Sequence, residues 1–178
     1  VELKVRSDRD VPAGMIFMPF CYAEAAANVL TNPQLDPFGK IPAFEHDGLR
    51  LYETAAITRY LDAAFPEVSL TPTEPRQVGL MQQAISVVDN YAYPALIGTI
   101  VIQRIVAPLA GGVPDEAAIA GAMPMAERSL QALDAMLEGS VWLSGGDLGL
   151  ADLHLAPVMA AFTSVPEGER LLPEHERL

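Results

Sequence analysis

Two short runs carry the strongest chemical signal in the chain. Lys40-Ile41-Pro42 offers an ammonium group and a stretch of main chain, and Glu53-Thr54 offers a carboxylate, a hydroxyl and the start of a helix. A helix N-terminus has unpaired N–H groups and a partial positive charge, so it holds a carboxylate without any arginine. The Thr54 hydroxyl adds a donor there, and Glu53 an acceptor for an ammonium group. Together the two runs suit one small anionic peptide. The plainer reading of the same residues is that Thr54 is only a helix cap and Glu53 only a favourable first-turn charge.

The elements that must position these runs are legible. Asp47-Gly48 between Ala43-Phe44-Glu45-His46 and Leu49-Arg50-Leu51-Tyr52 predicts a two-residue hairpin, because both turn residues tolerate positive φ. Pro42 falls at the start of the first strand, where a missing N–H costs least. A cis bond before it would turn the Ile41 N–H and C=O outward, free to bind a ligand. After Tyr52 the period changes, and Ile57, Tyr60, Leu61 and Ala64 predict a helix that Thr54 caps.

The run from Asp36 to Phe65 resembles the second half of the N-terminal domain of glutathione transferases, closest in style to the phi and related bacterial classes. There an Asn-Pro-x-Gly-Lys/Gln-Ile/Val-Pro segment precedes the hairpin, and a Glu-Ser pair opens the next helix. This chain has Asp36 in place of Asn and Thr54 in place of Ser. The resemblance implies that Lys40 sits near the glycine carboxylate of glutathione and that Ile41 pairs with its cysteinyl backbone ahead of a cis Pro42. It also implies that Glu53 and Thr54 take the γ-glutamyl end.

Composition bounds the rest. The chain has 178 residues, 51% hydrophobic and 19% charged, enough for one or two compact domains. A net charge of −12 with 11 Lys and Arg leaves no basic stripe to neutralise phosphates, so no nucleic-acid partner is expected. No uninterrupted apolar run long enough to span a bilayer and no signal peptide pattern is read, and one cysteine, Cys21, gives no disulfide framework. A cytoplasmic protein with no membrane partner is the expectation.

Pro66 to Pro75 is rich in proline and polar residues and reads as a linker. Beyond it, Arg76 to Leu109 forms one helical pattern, with Met81, Ile85, Val88, Ala92 and Ala95 on one face. Pro94 predicts a kink near Asn90, and Gly111-Gly112 ends the unit. A second helix is predicted from Pro114-Asp115 to about Leu137. A third begins near Gly149, in Leu148-Gly-Leu-Ala-Asp-Leu-His-Leu-Ala-Pro157, where Asp152 reaches back to a free N–H and Pro157 kinks the helix. This segment resembles the capping segment of the transferase C-terminal domain, with Gly149 where Ser or Thr is usual.

The beginning fits the family least. Val1 to Val5 resembles the family's second strand, and the family's first strand and helix, with their catalytic Ser, Tyr or Cys, have no counterpart here. Cys21, in Pro-Phe-Cys ahead of a helical run, is a candidate thiol with a lowered pKa; a small buried apolar residue is the blander reading. The catalytic residue is therefore unassigned. His46, His154 and His175 lack neighbours at metal-ligand spacing, so no metal is expected, and His154 reads as a packed or capped side chain. The Glu-Gly-Glu-Arg and Glu-His-Glu-Arg stretches read as solvated charge clusters. Tyr91 and Tyr93 are candidates for an apolar co-substrate pocket, with core or dimer packing as the alternative, and Asp89 could reach a glutathione ammonium across a dimer interface.

The resemblance implies a thioredoxin-like α/β N-terminal domain (1–66, incomplete), a linker (67–75) and an all-α helical-bundle C-terminal domain (76–178). It implies a cytoplasmic homodimer with a detoxification role, using glutathione as co-substrate. The glutathione thiolate would add to a small apolar electrophile or reduce a peroxide. A glutathione-dependent isomerase or dehalogenase, and a non-catalytic binding or assembly module, are the alternatives.

Overall fold

The computed structural model describes residues 36–38, 40 and 42–178. The chain divides into two compact units, Val1–Ile57 and Thr58–Leu178. The expectations for residues 1–5 and 11–35 lie outside the described residues.

In the first unit, β1 (Ala43–His46) and β2 (Leu49–Tyr52) form the antiparallel hairpin read from the sequence. Asp47 at φ 49° and Gly48 at φ 79° form the tight turn, whose twist matches that of the strands. Arg50 Nε donates to Glu45 Oε2 across the ladder at 2.9 Å. Helix α1 (Thr54–Ala64) follows β2 after a single residue.

The second unit is helical. Helix α2 spans Pro75–Leu109, with Glu74 as its N-cap, accepting from Gln77 N at 2.9 Å. It is not α-helical throughout. Val88–Ala92 and Leu96–Val106 are π-helical, with wider turns. The sequence predicts a kink near Asn90, and the structure has a π turn ending just ahead of Pro94. A proline lacks the N–H that an α turn would use, and the wider turn re-routes the pairing around it. Thr99 Oγ1 donates to the Pro94 carbonyl at 3.1 Å, adding a partner at the disturbed step. The five residues expected on the inner face, Met81, Ile85, Val88, Ala92 and Ala95, are all buried.

By length and composition alone, the 35-residue helix α2 is long and apolar enough to cross a membrane, the one such helix among the described residues. Its scattered polar residues interrupt the apolar run without lowering the average enough to exclude a span.

Helix α3 (Glu116–Met136) starts at Asp115, whose Oδ1 accepts from Ala117 N and Ala118 N at 3.0 and 2.9 Å. It buries Ile119, Leu130 and Leu133. Helix α4 (Leu150–Phe162) begins after Gly149, and Phe162 is fully buried. Asp152 holds both sides of the entry: Oδ2 accepts from Gly149 N at 2.8 Å and Oδ1 from Leu143 N at 2.9 Å. The reach-back is the one expected, and the bond to Leu143 adds a second anchor for the preceding turn. A β-carbon on Gly149 would stand 2.9 Å from Ser144 Oγ and 3.1 Å from the Leu70 carbonyl oxygen. Glycine is thus the residue the packing accepts where the family pattern has a hydroxyl. Helix α5 (Pro166–Leu171) and a 3-10 turn (Leu172–Glu174) complete the elements among the described residues.

Residues 67–75, read as a linker, are held at Leu70. Leu70 N donates to the buried Asp62 Oδ1 at 2.6 Å, and Leu150 N donates to the Leu70 carbonyl at 3.0 Å.

The two charge clusters expected to be solvated are exposed at Glu169, Arg170, Glu174, Glu176 and Arg177, and the exception is Glu167. Glu167 is buried, and Arg104 Nη2 and Nε donate to its carboxylate at 2.6 and 3.1 Å. The other edge of the Arg104 guanidinium grips Glu116. This fork–fork geometry is what an Arg in an otherwise apolar helix provides. Arg177 likewise pairs with Asp134 at 3.1 Å, fastening the end of the chain to α3.

Candidate functional site

The first candidate group forms at one end of the hairpin. Ala43 pairs with Tyr52. Pro42 immediately precedes one and Glu53 follows the other, so the antiparallel ladder places both at the same open end. The loop carrying Lys40 therefore enters the sheet where helix α1 leaves it.

Asp36 shapes that loop. Its Oδ1 accepts from Phe38 N at 2.9 Å and from Lys40 N at 2.7 Å, while its own N–H donates to the Lys40 carbonyl at 3.0 Å. Both main-chain groups of Lys40 are thus held by one residue, and the Lys40 side chain is exposed. A carboxylate accepts these N–H bonds with a full charge, so Asp serves the loop at least as well as Asn. Phe38 stacks edge-on against Tyr52 with ring centroids 6.0 Å apart, tying the loop to β2. Ile41, and with it the Ile41–Pro42 bond, lies outside the described residues, as does Cys21.

Glu53 has φ +69°, one of two non-glycine residues with positive φ among those described. The left-handed conformation turns the chain from strand to helix within one residue, at a cost of order 1–3 kcal/mol for a side chain that is not Gly. Its carbonyl accepts from Ile57 N at 3.0 Å, the first bond of α1. Glu53 therefore occupies the cap position and Thr54 the first helical one, so the cap falls one residue earlier than the sequence assigns it. The shift follows from the backbone turn at Glu53. Both residues are exposed at the helix start.

The second candidate group belongs to the other unit. Tyr91 and Tyr93 lie on α2 at its first π turn and are about half exposed, so neither is a core residue. Asp89 is engaged: its Oδ1 lies 2.7 Å from Nε2 of the buried His154. His154 is thus a packed, partnered side chain, as its apolar setting predicts.

Comparison with known proteins identifies the setting of this hairpin. Residues 95–170 match the glutathione S-transferase C-terminal domain. The chain is 31% identical over 127 residues to a glutathione S-transferase from Hyoscyamus muticus, covering 70% of this chain and 59% of that protein. Glutathione transferase F7 from Populus trichocarpa has a similar structure, with a TM-score of 0.70 and 30% identity, covering 80% of this chain and 67% of that one. The chain belongs to the glutathione transferase family.

Its fold class, a thioredoxin-like α/β domain followed by an all-helical one, is that of these transferases. Glutathione S-transferase I from mais, solved in complex with an atrazine glutathione conjugate, is 26% identical with a TM-score of 0.68, covering 84% of this chain and 68% of that one. The chain spans a little under three-fifths of the length of the first curated transferases it matches. Residues 1–47 match a different model, the molydopterin dinucleotide binding domain. That stretch contains the part of the sequence least like a transferase.

Arg104 is the residue that sequence reading missed. It is the lone charge between Asp89 and Asp115. An isolated Arg in an apolar helix is the signal that could have pointed to a buried carboxylate partner.

Proposed function

We propose that this transferase-family chain binds glutathione at the open end of the hairpin and presents its thiolate to a small apolar electrophile. Lys40 faces the glycine carboxylate, Ile41 and Pro42 offer main chain to the cysteinyl unit, and Glu53 and Thr54 take the γ-glutamyl end. The observation that carries this reading is the pairing of Ala43 with Tyr52, which brings the Lys40 loop and the Thr54 helix start to one end of one ladder. The Asp36 bonds to Lys40 and the positive φ of Glu53 support it, because both fix main chain where a ligand would need it fixed.

In the conjugation, the glutathione sulfur forms a bond to the electrophilic carbon and a leaving group departs with the bonding pair. A donor aimed at sulfur lowers the thiol pKa so that the thiolate attacks. The glutathione conjugate held by the mais relative supports this reaction over peroxide reduction. A cytoplasmic homodimer is part of the same reading.

A second reading has one observation in its favour. Residues 1–47 match the model of a binding domain from another family, which favours a binding module over a transferase.

Calorimetric titration of the intact protein with glutathione, beside Thr54→Ala, tests the binding step. The substitution is expected to cost about 1–3 kcal/mol of binding free energy, one charge-assisted hydrogen bond left unmade. Unchanged affinity would remove Thr54 from the site. Activity toward a panel of electrophiles then separates an enzyme from a binding module.

A further inference from the structure

We propose that Asp62, in the last turn of α1, is a positioning residue for glutathione, because it fastens the helix whose start carries Glu53 and Thr54. The inference rests on the glutathione reading above and extends it to a residue outside the proposed contacts.

Helix α1 has few means of fixing its direction. Of its eleven residues only Ile57 and Asp62 are buried. It leaves β2 through Glu53 alone, a one-residue joint at φ +69°. One buried apolar side chain near the start leaves the far end to be held by other means.

Asp62 supplies that hold. Its side chain is 3% exposed, and a carboxylate leaves water only where hydrogen bonds replace it. Oδ1 accepts from Leu70 N at 2.6 Å, a charge-assisted bond, and Oδ2 lies 3.6 Å from Nη1 of the half-exposed Arg59. Leu70 passes the hold on. Its carbonyl accepts from Leu150 N at 3.0 Å, one of the N–H groups that α4 cannot pair within its own first turn. The strap lies close against that turn, since the Leu70 carbonyl oxygen would stand 3.1 Å from a β-carbon on Gly149. Two hydrogen bonds through one residue thus tie the end of α1 to the entry of α4.

Thr54 and Asp62 are eight residues apart, about 12 Å along the axis of one helix. The N–H groups of the first turn therefore move with the carboxylate at the last. With that end released, α1 pivots at Glu53, and only part of the population presents its N–H groups as glutathione needs them. The apparent affinity falls by that fraction.

Calorimetric titration with glutathione of the intact parent, Asp62→Ala, Asp62→Asn and Arg104→Met tests this. Asp62→Ala is expected to bind about fivefold more weakly or worse. Asp62→Asn keeps an oxygen that accepts from Leu70 and is expected to stay within about twofold of the parent. Arg104→Met breaks the clamp on Glu167, away from α1, and is expected to lower stability with affinity unchanged. Equal affinities in the parent and Asp62→Ala, or an equal loss in Arg104→Met, would overturn the positioning role alone. A parent that binds no glutathione would overturn the glutathione reading and this inference with it. Hydrogen exchange of the unaltered protein, with and without saturating glutathione, needs no variant to fold. Positioning predicts slower exchange at the Leu70 and Leu150 amides, with no change at Ala117 and Ala118, which Asp115 caps on α3. No slowing at Leu70 and Leu150, or the same slowing at all four amides, contradicts it.

Discussion

Asp36 Oδ1 accepts the Lys40 main-chain N–H at 2.7 Å, and the Asp36 N–H is returned to the Lys40 carbonyl at 3.0 Å. This reciprocal pair sets the direction in which the loop enters β1. Asp36→Ala removes the acceptor for two N–H groups and is expected to weaken glutathione binding by about 1–2 kcal/mol, with Asp36→Asn close to the parent. Titration calorimetry on the three proteins checks this. Equal affinities would mean that the loop is shaped by something other than Asp36.

Glu53 combines an unfavourable backbone conformation with a proposed ligand contact. Glu53→Gly relieves the first and deletes the second. The variant is therefore expected to unfold no more easily than the parent, yet to bind glutathione more weakly by about 1 kcal/mol or more. Thermal unfolding and calorimetry, run side by side, separate the two effects. A variant that loses stability and keeps its affinity would contradict both assignments.

The Arg104 clamp has a pH signature. Hydrogen bonds from Arg104 hold the carboxyls of Glu167 and Glu116 below their ordinary value near 4.5. Groups depressed in the folded state contribute stability that is complete above the ordinary value and lost as pH falls through the folded one. The buried Glu167 carries more of this than the exposed Glu116, whose pairing is screened by solvent. Unfolding midpoints should hold from neutrality to about pH 5 and then drop; in Arg104→Met the level at neutrality should fall and the acid step shrink. An unaltered pH profile in that variant would exclude the clamp as its source.

Gly149→Ser restores the hydroxyl common at that place in the family, and on capping preference alone it would be mildly stabilising. The new β-carbon would lie 2.9 Å from Ser144 Oγ and 3.1 Å from the Leu70 carbonyl. Crowding is expected to win, lowering stability by about 1–3 kcal/mol. Denaturant unfolding reads the sign directly.

The parts of the fold governed by neighbouring residues were legible in the sequence. Asp47-Gly48 sets its turn because two adjacent residues tolerate positive φ, and Asp115 and Asp152 cap helices within three residues of themselves. Features that depend on distant partners were not. Glu167 reads as a surface charge until Arg104, 63 residues earlier, is seen beside it. Gly149 looks like a weakened cap until the Leu70 carbonyl is placed against it. The π turns follow from how α2 accommodates Pro94 and Pro108, which periodicity alone does not specify. At the candidate site, Glu53 and Thr54 were identified by type and spacing, but the one-residue offset of the cap required the backbone angle at Glu53.

A crystal structure of the intact protein with glutathione tests the central claim most directly. The account predicts the γ-glutamyl carboxylate on the main-chain N–H and hydroxyl of Thr54, with the cysteinyl unit alongside Ile41 and Pro42. Glutathione bound elsewhere at saturating concentration, with the end of the hairpin unoccupied, would contradict it.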